Sequence, residues 1–321
     1  MTLSVWFVVT PTVLLLDYVG PAETLRMAAE MGGDFLLHHV APTPRLATSL
    51  TVDITGMSAL PPELPSHSLV VVTGNACEVE DYARPEALAV VDWLRRAPRA
   101  DTCIASICSG ALLLAAAGLL DHRQCTTHHS LIDDLRVAAP TALVQENRIF
   151  VEDGPVLTSA GITTGIDLAL YLIERHAGAA LAARVARRLV VYLRRSGHDE
   201  QLSPWLSHRN HLHPAVHRAQ DAIASEPLRA WTLAELAQRA HVSERHLTRL
   251  FAEHAGIGVT AYQQHLRIAR ARELLGDRRL SVERVAELSG FNSARDFRRV
   301  WRRHEGTAPS ARRGKATSAG C

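Results

Sequence analysis

A cysteine at the end of a short apolar segment is well placed for covalent chemistry. Cys108 directly follows segment 102–107, which is typical of a buried strand, and precedes a helical segment at 110–117. A nucleophile in such a sharp strand-turn-helix connection resembles the nucleophile elbow of hydrolases. The positive end of the following helix favours a thiolate, so we expect a lowered pKa for Cys108. The alternative is that Cys108 is a small buried apolar residue, as free cysteines often are.

A second set of residues is suited to contacts with phosphates and base edges. Segments 244–254 and 293–304 carry apolar residues three and four apart, which predicts two helices, each with one buried stripe. The residues that then face outward are Arg245, Thr248 and Arg249 in the first helix, and Arg295, Arg298 and Arg299 in the second. A guanidinium donates two parallel hydrogen bonds, which suits guanine and phosphate. The sequence leaves open which of these residues read bases and which contact phosphate.

Each of these helices ends a repeated helix-turn-helix unit. The first unit has a helix at 233–237 and a turn at 241–243, and the second has a helix at 282–286 and a turn at 290–292. Ser243 and Ser281 are good N-caps, and Gly290 permits the second turn. Segment 260–275 contains neither Pro nor Gly and predicts one helix of about 24 Å. Such a connection sets two reading helices near one DNA turn apart, about 34 Å.

The charge distribution favours nucleic-acid binding at one end of the chain. Residues 221–321 carry 18 Lys and Arg against 11 Asp and Glu, a net charge of +7, within a total of +2. The remainder is therefore acidic, at −5, as expected if one end alone contacts phosphate. The alternative is a solvated helical bundle with arginines on its surface.

The first half of the chain alternates strand-like and helix-like segments. We predict strands at 3–9, 35–40, 68–73, 102–107 and 156–159, helices at 22–31, 85–96, 110–117, 131–138 and 163–175, and a hairpin at 142–152. This alternation predicts an α/β fold, with a mostly parallel sheet and helices on both faces. Ligands of such folds bind at the carboxyl ends of the strands, which is where Cys108 lies.

Length and composition limit the class of protein. A chain of 321 residues predicts two domains. No apolar run reaches the length of a membrane span, and the amino terminus lacks the features of a signal peptide, so we expect no membrane partner. The five cysteines (77, 103, 108, 125 and 321) lack disulfide or zinc spacing, which favours reduced thiols and a cytoplasmic protein.

The region between the two halves contains a two-faced helical segment and a polar linker. Segment 181–195 has apolar and basic faces, so it packs on the first domain, pairs two subunits, or lies on the surface. Segment 196–214 carries His198, His208, His211 and His213, but no cysteine or spaced carboxylate completes a metal site. We therefore expect neither a metal nor a cofactor.

The carboxyl-terminal region resembles the AraC/XylS family of transcriptional regulators. The resemblance covers 227–313 and rests on Ala237, Ser243, Leu247, Arg249, Leu250, Phe251, Gly256, Arg267, Ala269, Arg270, Leu274, Leu275, Val285, Ala286, Gly290, Phe291, Phe297, Arg298, Arg299, Gly306 and Pro309. The chain departs from the family at Arg312, where a tyrosine is usual. The resemblance implies that Arg245, Thr248, Arg249, Arg295 and Arg299 contact double-stranded DNA.

Residues 3–176 resemble the PfpI-type, glutamine-amidotransferase-like superfamily, which implies a flavodoxin-like fold. The residues that carry it are 16–21, Gly74, 108–110, 117–120, 127–128 and 159–167. Asp17, Cys108 and Ser109 together resemble the isonitrile hydratase branch. Protease-like members have a histidine at the position of Ser109, although His128 can still approach the site in space. The Asn75 side chain stands where a second glycine is common, and is expected to crowd an oxyanion pocket.

The two regions together resemble the GlxA-type transcriptional regulators. We predict a PfpI-type sensing domain at 1–177, a helix and linker at 178–213, and a double helix-turn-helix domain at 214–321. The resemblance implies a regulator that senses a small nitrogenous metabolite, binds DNA as a homodimer and can contact RNA polymerase. The alternative is a cysteine hydratase or amidase, with Asp17 as acid/base, Cys108 as nucleophile and Ser109 as donor.

Overall fold

The computed structural model describes residues 2–75, 82–191, 195–197, 199–201, 208–209, 211–277 and 279–310. The described residues up to Gln201 form one compact unit, the α/β unit, and those from His208 form a second, the helical unit. Among these residues, no helix combines the length and the apolar character needed to cross a membrane.

A mostly parallel sheet forms the centre of the α/β unit, as predicted. The strands of the unit are β1 (Leu3–Val8), β2 (Phe35–Ala41), β3 (Arg45–Ala47), β4 (Asp53–Thr55), β5 (Ser58–Ala59), β6 (Ser68–Val72), β7 (Cys103–Ile107), β8 (Gln124–Cys125), β9 (Leu143–Val144), β10 (Phe150–Asp153) and β11 (Val156–Ser159). Seven of them form the central sheet in the order β10-β11-β7-β6-β1-β2-β5. The β10–β11 pair is antiparallel and the other five pairs are parallel. The segments that follow β1, β6, β7 and β11 therefore leave the sheet at the same edge.

Helices cover both faces of this sheet, which confirms the predicted fold class. They are α1 (Leu15–Glu30), α2 (Pro85–Arg96), α3 (Gly110–Ala116), α4 (Ile132–Ala138), α5 (Thr164–Ala177) and α6 (Ala179–Arg188). One core contains buried residues of α1, α5 and α6, and the other contains those of α2, α3 and α4. Along β1, Val5 and Phe7 lie in the first core and Val8 in the second, as the alternation of a strand requires.

Two segments of the α/β unit differ from the sequence predictions, and the structure decides a third that the sequence left open. Helix α1 begins at Leu15 instead of residue 22, and so carries Asp17 in its first turn. The predicted hairpin at 142–152 is wrong, because β9 pairs with β8 and β10 pairs with β11. The apolar face of α6 packs into the first core, which decides between the alternatives for that helix, whereas residues 192–194 lie outside the described residues.

The helical unit contains the two predicted helix-turn-helix units. Its helices are α7 (Pro214–Ser225), α8 (Leu233–Ala240), α9 (Glu244–Leu250), α10 (Val259–Leu275), α11 (Val282–Leu288) and α12 (Ala294–Glu305), with a π-helical turn (Phe251–Ala255) directly after α9. Each helix-turn-helix has its own core, and α10 contributes Tyr262 and Leu266 to the first and Ile268 and Ala271 to the second. The single connecting helix was therefore predicted correctly.

Local interactions explain where these helices begin and turn. The hydroxyl groups of Ser243 and Ser281 accept backbone N–H bonds from the third helical residue, as predicted for N-caps. Gly290 adopts φ +81°, and a Cβ atom there would lie 3.0 Å from the backbone of Leu228. At the corresponding turn of the first helix-turn-helix, His241 adopts the left-handed conformation, with φ +56°.

Candidate functional site

The segments that leave the sheet at its carboxyl edge bring Asp17, Cys108 and Ser109 together. Asp17 lies in α1 after β1, and Cys108 and Ser109 lie between β7 and α3. A Cβ atom built on Gly74, which follows β6, would lie 2.5 Å from Asp17 Oδ2, 2.8 Å from Cys108 Cβ and 2.9 Å from Ser109 Oγ. The edge also includes the switch between β1 and β6, where the strand order reverses, so this is the position expected for a ligand site in an open α/β sheet.

A second glycine permits the close approach of the loop after β11. Gly161 adopts φ +81°, and a Cβ atom there would lie 2.2 Å from Cys108 Cβ and 2.7 Å from Cys108 Cα. Any side chain at this position would overlap Cys108. The next residue, Ile162, donates its backbone N–H to Asp17 Oδ1. Gly161 therefore allows the loop to enclose both Cys108 and Asp17.

Asp17 is fully buried, and its surroundings change its acidity. Burial raises the pKa of the Asp17 carboxyl from 3.8 to about 6, while hydrogen bonds from Ile162 and Cys108 act in the opposite direction. An isolated carboxylate inside a protein is costly, so the protonated form gains in stability. Asp17 can therefore accept or release a proton near neutral pH.

Cys108 is buried and held through its backbone. Its N–H donates to Ser159 O at 3.0 Å, and its carbonyl accepts from Thr127 Oγ1 at 2.8 Å. The predicted lowering of the thiol pKa is wrong. Burial and then the charge of Asp17 raise the pKa of Cys108, and they outweigh the lowering effect of a hydrogen bond from the Ser109 backbone. Cys108 is therefore a protonated thiol at neutral pH and a poor nucleophile.

The groups around Ser109 bond to one another. The backbone N–H of Asn75 donates to Ser109 Oγ at 2.9 Å, and the Tyr82 hydroxyl donates to Asn75 Oδ1 at 2.6 Å. The Asn75 amide is consequently occupied and does not serve as an oxyanion donor in this arrangement. His128 pairs its Nδ1 with Ser130 Oγ at 2.7 Å, and its ring lies against His129. The structure thus joins Asp17, Cys108 and Ser109, while the hydrogen bond of His128 is made elsewhere.

The predicted DNA-contacting residues all lie on exposed faces of α9 and α12. Leu247, Leu250, Phe297, Val300 and Trp301 form the buried stripes of these helices, as predicted. The opposite faces carry Arg245, Thr248, Arg249, Arg295, Arg298 and Arg299, all exposed. These faces can approach a DNA groove without any rearrangement of the core.

Carboxylates on the same surface pair with three of these arginines. Arg249 pairs with Glu253 at 3.1 Å and Arg299 with Asp296 at 2.5 Å, and Arg298 pairs with Glu283. All three pairs are exposed, so solvent screens them and they contribute little to stability. Phosphate can therefore replace the carboxylates at little cost.

Sequence reasoning missed two members of the arginine face on α12. Arg302 and Arg303 extend it, and together with Arg295, Arg298 and Arg299 they line a shallow surface cleft of about 480 Å³. Their spacing of three and four residues from Arg299 was the signal that could have identified them.

The histidines of the linker region lie beside α7 and the π-helical turn. The rings of His211 and His217 lie 4.5 Å apart, and those of His213 and His254 lie 4.6 Å apart. Within the part of the chain that the structure describes, no three His, Cys, Asp or Glu side chains are arranged to hold a metal ion. His198 lies outside that part.

Comparison with protein families matches both units. Residues 4–175 match the DJ-1/PfpI family, and residues 236–315 match a helix-turn-helix domain family. A THiJ/PfpI family protein from Pseudomonas syringae has a similar fold, with a TM-score of 0.51 and 22% identity over 75% of this chain and 89% of that chain.

Two HTH-type transcriptional regulators are similar over nearly the whole chain, and one enzyme is similar over part of it. The HTH-type transcriptional regulator CdhR of Pseudomonas aeruginosa is 32% identical over 97% of this chain and 91% of its own length. GlxA of Rhizobium meliloti, also an HTH-type transcriptional regulator, is 30% identical over 97% of this chain and 96% of its own length. Isonitrile hydratase of Pseudomonas putida is 29% identical, over 59% of this chain and 78% of its own. The chain belongs to the family of HTH-type transcriptional regulators that join a DJ-1/PfpI domain to an AraC-type helix-turn-helix domain.

Proposed function

We propose that this regulator binds double-stranded DNA through the exposed faces of α9 and α12. The observation that carries the proposal is the position of Arg245, Thr248, Arg249, Arg295, Arg298 and Arg299 opposite the buried stripes of two equivalent helices. Arginine on the second helix of a helix-turn-helix is suited to bidentate contacts in the major groove. The α10 connection, 17 residues or about 26 Å long, suits contacts in successive grooves.

We propose further that a small nitrogenous metabolite binds at Asp17, Cys108 and Ser109. Asp17 is the acidic group of this site and, with a pKa of about 6, it is largely ionised at neutral pH. A protonated amine or a quaternary ammonium group would compensate its buried charge. The protonated Cys108 thiol and the occupied Asn75 amide favour binding over covalent turnover.

The sensing domain spans 1–177, the helix and linker 178–213, and the DNA-binding domain 214–321. The regulator acts in the cytoplasm as a homodimer on paired half-sites and contacts RNA polymerase at its promoters. Effector binding changes DNA affinity because the effector binds one state of the protein more tightly than another.

A selection from fragmented DNA of the source genome tests DNA binding by the full-length protein. The Arg249→Ala/Arg299→Ala variant removes one guanidinium from each face. Arg284→Ala is the matched control, because Arg284 is an exposed arginine of the supporting helix α11 that pairs with Glu287. We expect the wild type and the control to enrich the same few promoters and the double variant to enrich none. Equal enrichment by all three proteins would contradict the assigned contacts.

Cys108→Ser tests the role of the α/β site in regulation. If the site binds the effector without covalent chemistry, the variant retains most of the response of a recovered promoter to its effector. Loss of the response with unchanged effector affinity would instead indicate chemistry at the thiol.

A further inference from the structure

The segment that leads out of the α/β unit is bonded to the loops of the Asp17/Cys108 site. We define the linker strap as residues 195–197 and 199–201. At its start, Arg195 donates its backbone N–H to Asp167 Oδ1 at 2.9 Å and its guanidinium to Asp167 Oδ2 at 2.9 and 2.6 Å. The same guanidinium donates to Thr163 Oγ1 at 2.8 Å. Because Asp167 is buried in the first turn of α5, this is a strong, directional anchor.

The middle of the linker strap lies directly on β10. A Cβ atom on Gly197 would lie 2.6 Å from Phe150 O, so the backbone approaches as closely as a glycine allows. Asp199 O accepts the backbone N–H of Ile149 at 3.1 Å. These contacts order a segment that the sequence predicts to be a polar linker.

The end of the linker strap is held by a second anchor. Gln201 donates its backbone N–H to Asn147 Oδ1 at 3.0 Å and its side-chain amide to Thr127 O at 2.8 Å. The anchoring residues at both ends adjoin the site. Thr127 donates its hydroxyl to Cys108 O, and Thr163 follows Ile162, whose N–H donates to Asp17.

We propose that the linker strap couples the Asp17/Cys108 site to the helical unit by docking when the site is closed and releasing when a ligand enters. The inference rests on the proposed binding of a small molecule at that site. Asp17 and Cys108 are 0% and 5% exposed, so a ligand reaches them only if the surrounding loops move. Movement of the loops at Thr127 and Thr163 weakens both anchors and releases the linker strap, which precedes the helical unit in the chain. By linkage, release of the linker strap must in turn open the site.

Alkylation of Cys108 with iodoacetamide in the full-length protein tests this reciprocity. The Arg195→Ala/Gln201→Ala variant removes both side-chain anchors, and mass spectrometry follows each cysteine separately. Cys103 and Cys125 are internal controls, since both are buried cysteines of the same unit. Arg95→Ala is the matched control variant, because Arg95 pairs with Asp92 and bonds to Ala116 O, away from the linker strap.

We expect Cys108 to react about tenfold faster in the double variant, within the range of about 5- to 150-fold typical of coupled sites. Cys103 and Cys125 should react at unchanged rates, and Arg95→Ala should match the wild type. An unchanged Cys108 rate, or equal acceleration at all three cysteines, would overturn the proposal. Gln201→Ala alone repeats the test if the double variant does not fold. The assay contains neither DNA nor effector, so its outcome is independent of the promoter selection.

Discussion

The two compact units hold their candidate functional groups in opposite surroundings. Asp17, Cys108 and Ser109 are at most 5% exposed, whereas the arginines of α9 and α12 face solvent. In the buried site the surroundings decide the chemistry, because burial raises the pKa of Asp17 and of Cys108. On the exposed faces, the number and spacing of the arginines decide the strength of phosphate binding. A substitution near the buried site should therefore change packing and ionisation, whereas one on the exposed faces should change binding alone.

The largest expected effect is the loss of unfolding free energy when alanine replaces a glycine beside the buried site. Gly161→Ala combines a left-handed backbone, which costs about 1–2 kcal/mol, with overlap against Cys108, which costs about 1–3 kcal/mol. We expect a loss of about 2–5 kcal/mol in the free energy of unfolding of the α/β unit, measured in the full-length protein by urea denaturation.

Gly256→Ala is the matched substitution in the helical unit. Gly256 also has positive φ, at +66°, but a Cβ atom there would meet nothing within 4 Å. Its expected cost is therefore the backbone contribution alone, about 1–2 kcal/mol. Equal costs for the two variants would show that the loop after β11 can move away from Cys108.

The next largest effect concerns DNA affinity. Arg299→Ala removes one exposed guanidinium and should weaken binding to a recovered promoter by about 1–3 kcal/mol, or roughly fivefold to 150-fold. The unfolding free energy should change by less than about 0.5 kcal/mol, because the Arg299–Asp296 pair is exposed. Fluorescence anisotropy with labelled promoter DNA measures the affinity, with Arg284→Ala as control. Unchanged affinity at moderate salt would show that Arg299 does not contact DNA.

The acidity of Asp17 predicts a dependence of stability on pH. Its folded pKa, about 6, lies above the unfolded value, so stability increases as pH falls through 6 and decreases as pH rises. The wild type should lose about 1.4 kcal/mol of unfolding free energy between pH 5 and pH 8 through this residue. Asp17→Asn abolishes that contribution, so the difference between the two proteins in urea titrations isolates it. Parallel pH profiles would show that the carboxyl is not protonated on folding.

The sequence predicted the exposed faces better than the buried site for physical reasons. A helical period of 3.6 residues places Leu247 inward and Arg249 outward whatever the rest of the fold does. The same rule also applies to Arg302 and Arg303, which were overlooked. The fold class was also predicted from a local pattern, since alternating strands and helices allow few arrangements.

The properties of the buried site depend on contacts between residues far apart in the chain. Asp17 bonds to Ile162, and Thr127 bonds to Cys108, contacts that no local pattern encodes. The expectation of a reactive thiolate counted the helix after Cys108, but neither the burial of the thiol nor the carboxylate from α1. The hairpin predicted at 142–152 failed because β9 pairs with the distant β8, whereas β10 forms a hairpin with β11, which follows it directly in the chain.

The smallest expected effect is the loss of a single phosphate contact on α12. The salt dependence of DNA affinity distinguishes such a contact from a base contact. Arg302 and Arg303 lie in the last turns of α12, beyond the amino-terminal residues that contact base edges in a helix-turn-helix. If each neutralises one phosphate, replacing either with alanine reduces the slope of log affinity against log salt concentration by about 0.9. The loss should be equal on promoter and unrelated DNA, because phosphate contacts carry no sequence information. Arg295→Ala should instead weaken promoter binding more than binding to unrelated DNA, since Arg295 lies in the first turn. An equal loss of the preference for promoter DNA in all three variants would show that the whole length of α12 contacts bases.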